Sequence, residues 1–376
     1  MLLSTIKVLE VKGSYYEMGK DQGEAFSSEI HDAMDDLIKL PSLKDKKPPL
    51  LPKVLYKKVL MKKAWPYFAK YISYIEDVKE RFDGLVKGSG QTFEYMAFLH
   101  MGEVILNRVS YALPTDACTA VAVLPSMAGK TLIMKNFDYP PSIIKFNLLR
   151  KSVPSQGIPS IELTKTPVAI AHDGMNEEGL VVLYNYAASI HPAHEGPFIG
   201  ALVQHVLNNA RNVKEAVEII MKYPFSPSAG LLLIADKKDA IVVEISPKRK
   251  TIRHPVDGLY VVNTNHYQTH EMQSDQIPID AVFKGGYLKG RRILESSFAR
   301  YERAVELLKN GVSGLDDIFA IARDHGKDNV PSNNTICRHG EPASSTITAA
   351  VFVPEEGIVY YVGGNPCQGS YSVINF

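Results

Sequence analysis

Residues 114–123 read PTDACTAVAV and residues 130–139 read KTLIMKNFDY. Two runs of small, β-branched and apolar residues joined by a Pro/Gly turn predict an antiparallel hairpin with Cys118 at the head of its first strand. The chain changes character at this point. Upstream, from Tyr15 to about Ser110, apolar residues recur at three and four positions in EMGKDQGEAFSSEIHDAMDDLIKL (17–40), VLYKKVLMKKAWPYFAKYISYIEDVKERFDGLV (54–86) and FEYMAFLHMGEVIL (93–106), which is helical periodicity. KDKKPPLLPK (44–53) reads as a loop between the first two helical stretches. Downstream the runs are strands: VAIAHDG (168–174), GLVVLYNY (179–186), GLLLIAD (230–236), AIVVEIS (240–246), GLYVVNTN (258–265), TITAAVFVP (346–354) and GIVYYVGG (357–364). Helices are expected at about 198–222, 288–310 and 316–323. Such grouping predicts a layered α+β or α/β fold with antiparallel sheets.

Composition narrows the function classes. Lys plus Arg is 42 against 41 Asp plus Glu, a formal charge of +1, without the basic excess that a nucleic-acid binder needs. No apolar run reaches the roughly 18–20 residues of a membrane span. MLLSTIKVLEVK, at the start, brings in charge too early for a signal peptide, so the reducing cytosol is the expected compartment. Cys118, Cys337 and Cys367 read as too few and too far apart for a disulfide framework or a zinc cage, and no metal site is expected. Phosphate-loop, dinucleotide, zinc-protease and serine-elbow motifs are absent from the sequence. Lys57, Lys58, Lys62, Lys63 and Lys70 read as the solvated face of a core-packing helix.

Cys118 remains as the candidate nucleophile. The returning strand would bring Asp138 and Asn136 beside it. Two later strands end in asparagine, Asn185 and Asn265; asparagine is a poor strand former but a good neutral donor to an oxyanion. The set fits acyl transfer to a thiol. Phe137, Tyr139 and Tyr184 could line an acyl pocket. A rival reading is an unprocessed Cys–His hydrolase with His172, His266 or His325 as base; another is a non-catalytic binding protein on the same fold. Cys337 and Cys367 are weaker nucleophile candidates.

DACTAVAV (116–123), IMKNFDY (133–139), GMNEEGLVVLYNY (174–186), VNTNHY (262–267) and TICRHG (335–340) resemble, in that order, the acyl-CoA:6-aminopenicillanic acid (isopenicillin N) acyltransferases, which are cysteine Ntn hydrolases. The opening KGSYYEMGKDQGEAF (12–26), with Gly13, Gly19 and Gly23, is also similar, and the strand region more distantly resembles choloylglycine hydrolases. The resemblance implies a four-layer αββα sandwich with a helical N-terminal segment, cut before Cys118 so that residues 1–117 stay bound to residues 118–376. It implies Cys118 as nucleophile, Asp138 near its amino group, Asn265 in the oxyanion hole and Asn185 as the second asparagine. Arg300, Lys135, Tyr139, Thr335 and Arg338 would meet the substrate. Two positions depart from the pattern: Ala117 stands where the acyltransferases have glycine, and Lys135 where the bile-salt enzymes have arginine. The implied activity is amide hydrolysis or acyl transfer on a small-molecule amide, with no cofactor and acyl-CoA admissible as co-substrate. A homo-oligomer is left open.

Overall fold

A computed structural model describes residues 5–44, 47–101, 117–284, 287–341 and 344–376. The chain enters as a strand that periodicity does not announce, β1 (Lys7–Gly13), followed by helices α1 (Tyr15–Ala25), α2 (Ser27–Leu37), α3 (Lys53–Ile72), α4 (Glu76–Ser89) and α5 (Phe93–His100). Then come β2 (Ala117–Val123), β3 (Leu132–Tyr139), β4 (Asn147–Pro154), β5 (Ser160–Lys165), β6 (Asp173–Asn176) and β7 (Val181–Tyr186). Two helices, α6 (Ile199–Asn209) and α7 (Val213–Met221), precede β8 (Gly230–Ala235), β9 (Ala240–Ile245), β10 (Lys250–Arg253) and β11 (Tyr260–Asn263). Helices α8 (Glu295–Lys309) and α9 (Leu315–Ala322) lead to β12 (Ser345–Val353), β13 (Ile358–Gly363) and β14 (Ser372–Asn375).

The strands form two sheets, ordered β1-β4-β5-β6-β7-β8-β9-β10 and β11-β2-β3-β12-β13-β14. The inner strands β2, β8, β9 and β12 are buried on both faces, as their continuous apolar runs require, whereas β1, β10 and β14 are partly exposed. Ala120 and Ala122 of β2 join Leu231 and Leu233 of β8 in the core between the sheets. Val121 and Val123 turn the other way, onto Ala304 and Leu308 of α8 and Ile318 of α9. Leu232 and Ile234 face Val203 and Val206 of α6 and Ala216 of α7. Helix, sheet, sheet and helix are thus stacked, which is the αββα sandwich that the resemblance implies. Helices α2 to α5 build a further core that reaches Cys118 and Phe137 at one end of the sandwich.

Several expectations change. Strand β1 pairs parallel with β4 along its whole length, so the first sheet is not purely antiparallel. The 168–174 run is strand only from Asp173. The expected 198–222 helix breaks in two, because Asn212 leaves helical geometry and its side chain caps the second piece at Glu215 N, 3.0 Å away. Helical sequence from 102 to 110 falls outside the described residues.

Glycines weld α1 to α4. A Cβ on Gly84 would lie 1.9 Å from the Tyr16 carbonyl oxygen, and one on Gly19 2.0 Å from that of Arg81. Backbones therefore meet directly, as only glycine allows. Gly84→Ala is expected to destabilise the chain by about 3 kcal/mol, the upper end for overpacking a backbone contact. A urea midpoint equal to that of the unmutated chain would contradict this.

Candidate active site

The β2–β3 register sets Ala117 opposite Asp138 and Cys118 opposite Phe137. Cys118 therefore points with Phe137 and Lys135 to one face, and Asp138 with Asn136 to the other. Asn136 is correspondingly not beside the thiol: its amide donates to the Ala322 and Ile336 carbonyls behind the sheet.

Polar groups converge on the peptide groups of Cys118. Its N–H donates to Asn265 Oδ1 at 3.0 Å. Its carbonyl accepts from Arg300 at 2.5 Å and from Asn185 Nδ2 at 3.3 Å. Arg300, buried on α8, also donates to Asn265 Oδ1 at 2.8 Å and Thr119 Oγ1 at 2.9 Å. Asn185 reaches across from the other sheet to the Asn263 and Thr264 carbonyls, and its Oδ1 accepts from Lys135 at 2.6 Å. Asn265 Nδ2 donates to the Tyr186 carbonyl at 2.8 Å, leaving the second N–H of that amide for another acceptor. The two asparagines thus clasp one cysteine from opposite sides.

The thiol itself is poorly activated. Burial pushes its pKa up to about 12, against which Lys135 works downward. Asp138 accepts from Thr346 Oγ1 at 2.7 Å, and Arg338 stands 3.6 Å from its Oδ2. That Oδ2 is buried with no hydrogen-bond partner among the described residues. Burial raises the Asp138 pKa, opposed by Arg338 and Arg300.

Two cavities flank the Ala117–Cys118 bond. One, of about 180 Å³, is lined by Cys118, Phe137, Tyr139, Phe146, Leu163 and Ile170, with Lys135, Lys165, His172 and Asp173 among its polar groups. The other, of about 60 Å³, holds Ala117, Asn265, Ser297, Arg300 and Arg338. Thr335 lines neither: its hydroxyl bonds the Ser332 and Cys337 carbonyls. His172 shares the cavity of Cys118, with Nδ1 2.8 Å from Asp173. His266 is tied to Ser297 and packed on Phe298. His325 lies elsewhere, with His339, Cys337 and Cys367; these two cysteines are not far apart in space, contrary to expectation.

Two cavity residues escaped the sequence reading. Asp173 receives Lys135 at 3.4 Å and the Tyr184 N–H at 3.0 Å. Lys165 lies over the Phe137 ring, 4.4 Å from its centroid, and donates to Asn147. Burial lowers the Lys165 pKa to about 7. The signal was present: alternation puts Lys165 on the same face of β5 as Ile161 and Leu163.

The family described as acyl-coenzyme A:6-aminopenicillanic acid acyl-transferase matches residues 126–368. The 40 kDa form of that acyltransferase from Emericella nidulans is 25% identical over 348 residues, covering 91% of this chain and 88% of the relative. Among solved structures, a Caenorhabditis elegans N-acylethanolamine-hydrolyzing acid amidase ortholog is similar at 15% identity and a TM-score of 0.44, over 63% of this chain and 93% of that one. Penicillin V acylase from Agrobacterium tumefaciens is similar at 17% identity and a TM-score of 0.44, over 69% and 86%. Since the family match takes in well over half of the residues, the chain belongs to the acyl-coenzyme A:6-aminopenicillanic acid acyl-transferase family and is an enzyme.

Proposed function

We propose that the protein is an autoprocessing N-terminal-cysteine enzyme that hydrolyses, or transfers the acyl group of, a small-molecule amide through a Cys118 thioester. The observation that carries this reading is the grip of Asn265, Arg300 and Asn185 on the peptide groups of Cys118, beside a thiol that burial keeps protonated. In the uncut chain burial keeps the Cys118 thiol protonated although Lys135, Lys165 and His172 share its cavity, so none of them serves it as a base. Cleavage would create one. An α-amine near 7.7–8.0 is partly neutral at pH 7, whereas a lysine near 10.4 is not; the gap of about 2.5 units is worth about 3.4 kcal/mol in base availability.

Maturation begins when Cys118 Sγ attacks the Ala117 carbonyl carbon. The Ala117–Cys118 C–N bond breaks, the thiol proton passes to the departing nitrogen, and water hydrolyses the resulting thioester. The new α-amine occupies the position of the present N–H donor to Asn265 Oδ1. Protonated, it donates to Asp138 Oδ2, which accepts no hydrogen bond among the described residues. In turnover Sγ attacks the substrate carbonyl while the α-amine takes its proton. The free N–H of Asn265 Nδ2 stabilises the oxyanion. The proton then goes to the leaving nitrogen, the C–N bond breaks, and water or a second nucleophile, an amine or the thiol of CoA, releases the acyl group. The larger, mainly apolar cavity suits the acyl chain; Arg300 and Arg338 in the smaller one suit the amine side.

The experiment is an intact mass under denaturing conditions. Cleavage before Cys118 divides 41.7 kDa into fragments of about 13 and about 29 kDa by share of length. A single full-length species that turns over amides would overturn the proposal. It would favour the second reading, in which His172, held by Asp173 in the cavity of Cys118, serves as base. His172→Ala would then abolish activity.

Lys165 makes the acyl cavity pH-sensitive. Its proton is lost as pH rises through about 7, so the cavity carries an added cation below that pH. The KM for an uncharged acyl chain is expected to rise several-fold from pH 8 to pH 6, and Lys165→Met to remove most of that rise. Parallel KM–pH profiles for the two proteins would refute this assignment.

A further inference from the structure

We propose that His325, Cys337, His339 and Cys367 form a structural divalent-metal site suited to zinc, separate from the acyl-transfer site. One donor atom from each side chain comes together in a group whose members all lie within 4.8 Å of one another. His339 Nε2 is 3.1 Å from His325 Nε2 and 3.2 Å from Cys367 Sγ. A tetrahedral zinc with bonds of about 2.0–2.1 Å to nitrogen and 2.3 Å to sulfur has donor–donor edges of about 3.3–3.8 Å. Both separations fall a few tenths of an ångström short of those edges and no two of the four atoms are more than 4.8 Å apart, so small side-chain adjustments would complete the polyhedron. Two thiols with two imidazoles is a zinc donor set; a disulfide alone would leave the histidines without a purpose.

The four ligands come from three segments far apart in sequence. His325 follows α9, Cys337 and His339 flank Arg338, and Cys367 lies in the turn after β13. Hydrogen bonds already draw these segments together: Cys337 N to the Asp324 carbonyl, Asn365 Nδ2 to the Arg338 carbonyl, and Arg323 to the Pro366 carbonyl. All four coordination positions would be protein ligands, which is the signature of a structural rather than a catalytic zinc. Its effect on the active site would pass through Arg338, fixed between two ligands and 3.6 Å from Asp138.

The test uses the full-length protein, reduced and handled without oxygen. Zinc(II) titration with a competing chromophoric chelator is expected to give one bound metal per chain. Cobalt(II) is expected to give the thiolate-to-metal charge transfer and intense visible bands of a tetrahedral sulfur–nitrogen site. Cys367→Ser, at a half-exposed position, should weaken zinc binding by more than about 100-fold, beyond what losing an outer partner of a ligand costs. Cys118→Ala should bind zinc as before. Failure of the unmutated, fully reduced chain to take up zinc, or a cobalt spectrum without thiolate charge transfer, would overturn the proposal and needs no variant to fold. Equal zinc affinity in Cys367→Ser would do the same.

Discussion

Cys118→Ala is expected to lower amide turnover by on the order of 10⁶-fold, the scale on which an enzyme loses kcat when its nucleophile is deleted. The same variant should run as a single 41.7 kDa chain, since in the proposed mechanism the sulfur that attacks substrate also attacks the Ala117 carbonyl. Both effects rest on one atom, so they should fail or succeed together. Structural damage is a poor rival explanation. Cys118 is a small buried side chain at a strand head, and truncating it should cost little stability. Far-ultraviolet circular dichroism and the unfolding midpoint should therefore stay near those of the unmutated protein. A Cys118→Ser protein adds a second check: an oxygen nucleophile of similar shape could cut slowly, producing the two fragments over hours. Turnover by Cys118→Ala within tenfold of the unmutated enzyme would leave Cys118 as a core thiol.

How much of this site was legible beforehand depended on whether local pattern carried the information. The Cys118 hairpin could be read because its alternation and its turn are local. Asn185 and Asn265 stood out because an amide is out of place at the end of an apolar strand. Strand β1 was missed because its exposed charges, Glu10 and Lys12 among them, break the apolar run, as charges do on an edge strand. The face on which Asp138 and Asn136 lie follows from register, which periodicity alone does not supply. His325, Cys337, His339 and Cys367 meet only through the order of strands and helices, so no spacing rule along the chain could join them. The same holds for Glu162, unremarkable inside SIELTK (160–165) until the helices that cover it are in place.

Glu162→Gln is expected to destabilise the protein by about 3–5 kcal/mol, the cost of stripping the partner from buried charges. Glu162 is fully buried, 2.5 Å from Arg150 Nε and 3.4 Å from Arg81, and accepts from Ser152, Ser160 and Gln204. Arg150 in turn donates to Gln22 of α1 and to Gln204 of α6. The two guanidiniums pull the Glu162 pKa down to about 2, while burial brings Arg150 to about 10, still charged at working pH. The sign follows from linkage. A carboxylate near 4.5 when unfolded and about 2 when folded stabilises the native state above pH 4.5 by about 3 kcal/mol, and loses that contribution as pH falls from about 4.5 through 2. Urea unfolding between pH 7 and pH 3 should show this loss, and Glu162→Gln should flatten it. The consequence reaches function because Arg81 and Gln22 belong to α4 and α1, upstream of Cys118, while Arg150 and Glu162 belong to the sheet downstream. If the chain is cut before Cys118, this ion cluster ties the fragments together beside the β1–β4 pairing and the shared apolar core. They should co-elute at pH 7, and separate in Glu162→Gln at a lower urea concentration than in the unmutated enzyme. Fragments of Glu162→Gln that hold together as firmly as the unmutated pair would show that the shared apolar core and the parallel β1–β4 pairing suffice without the charges.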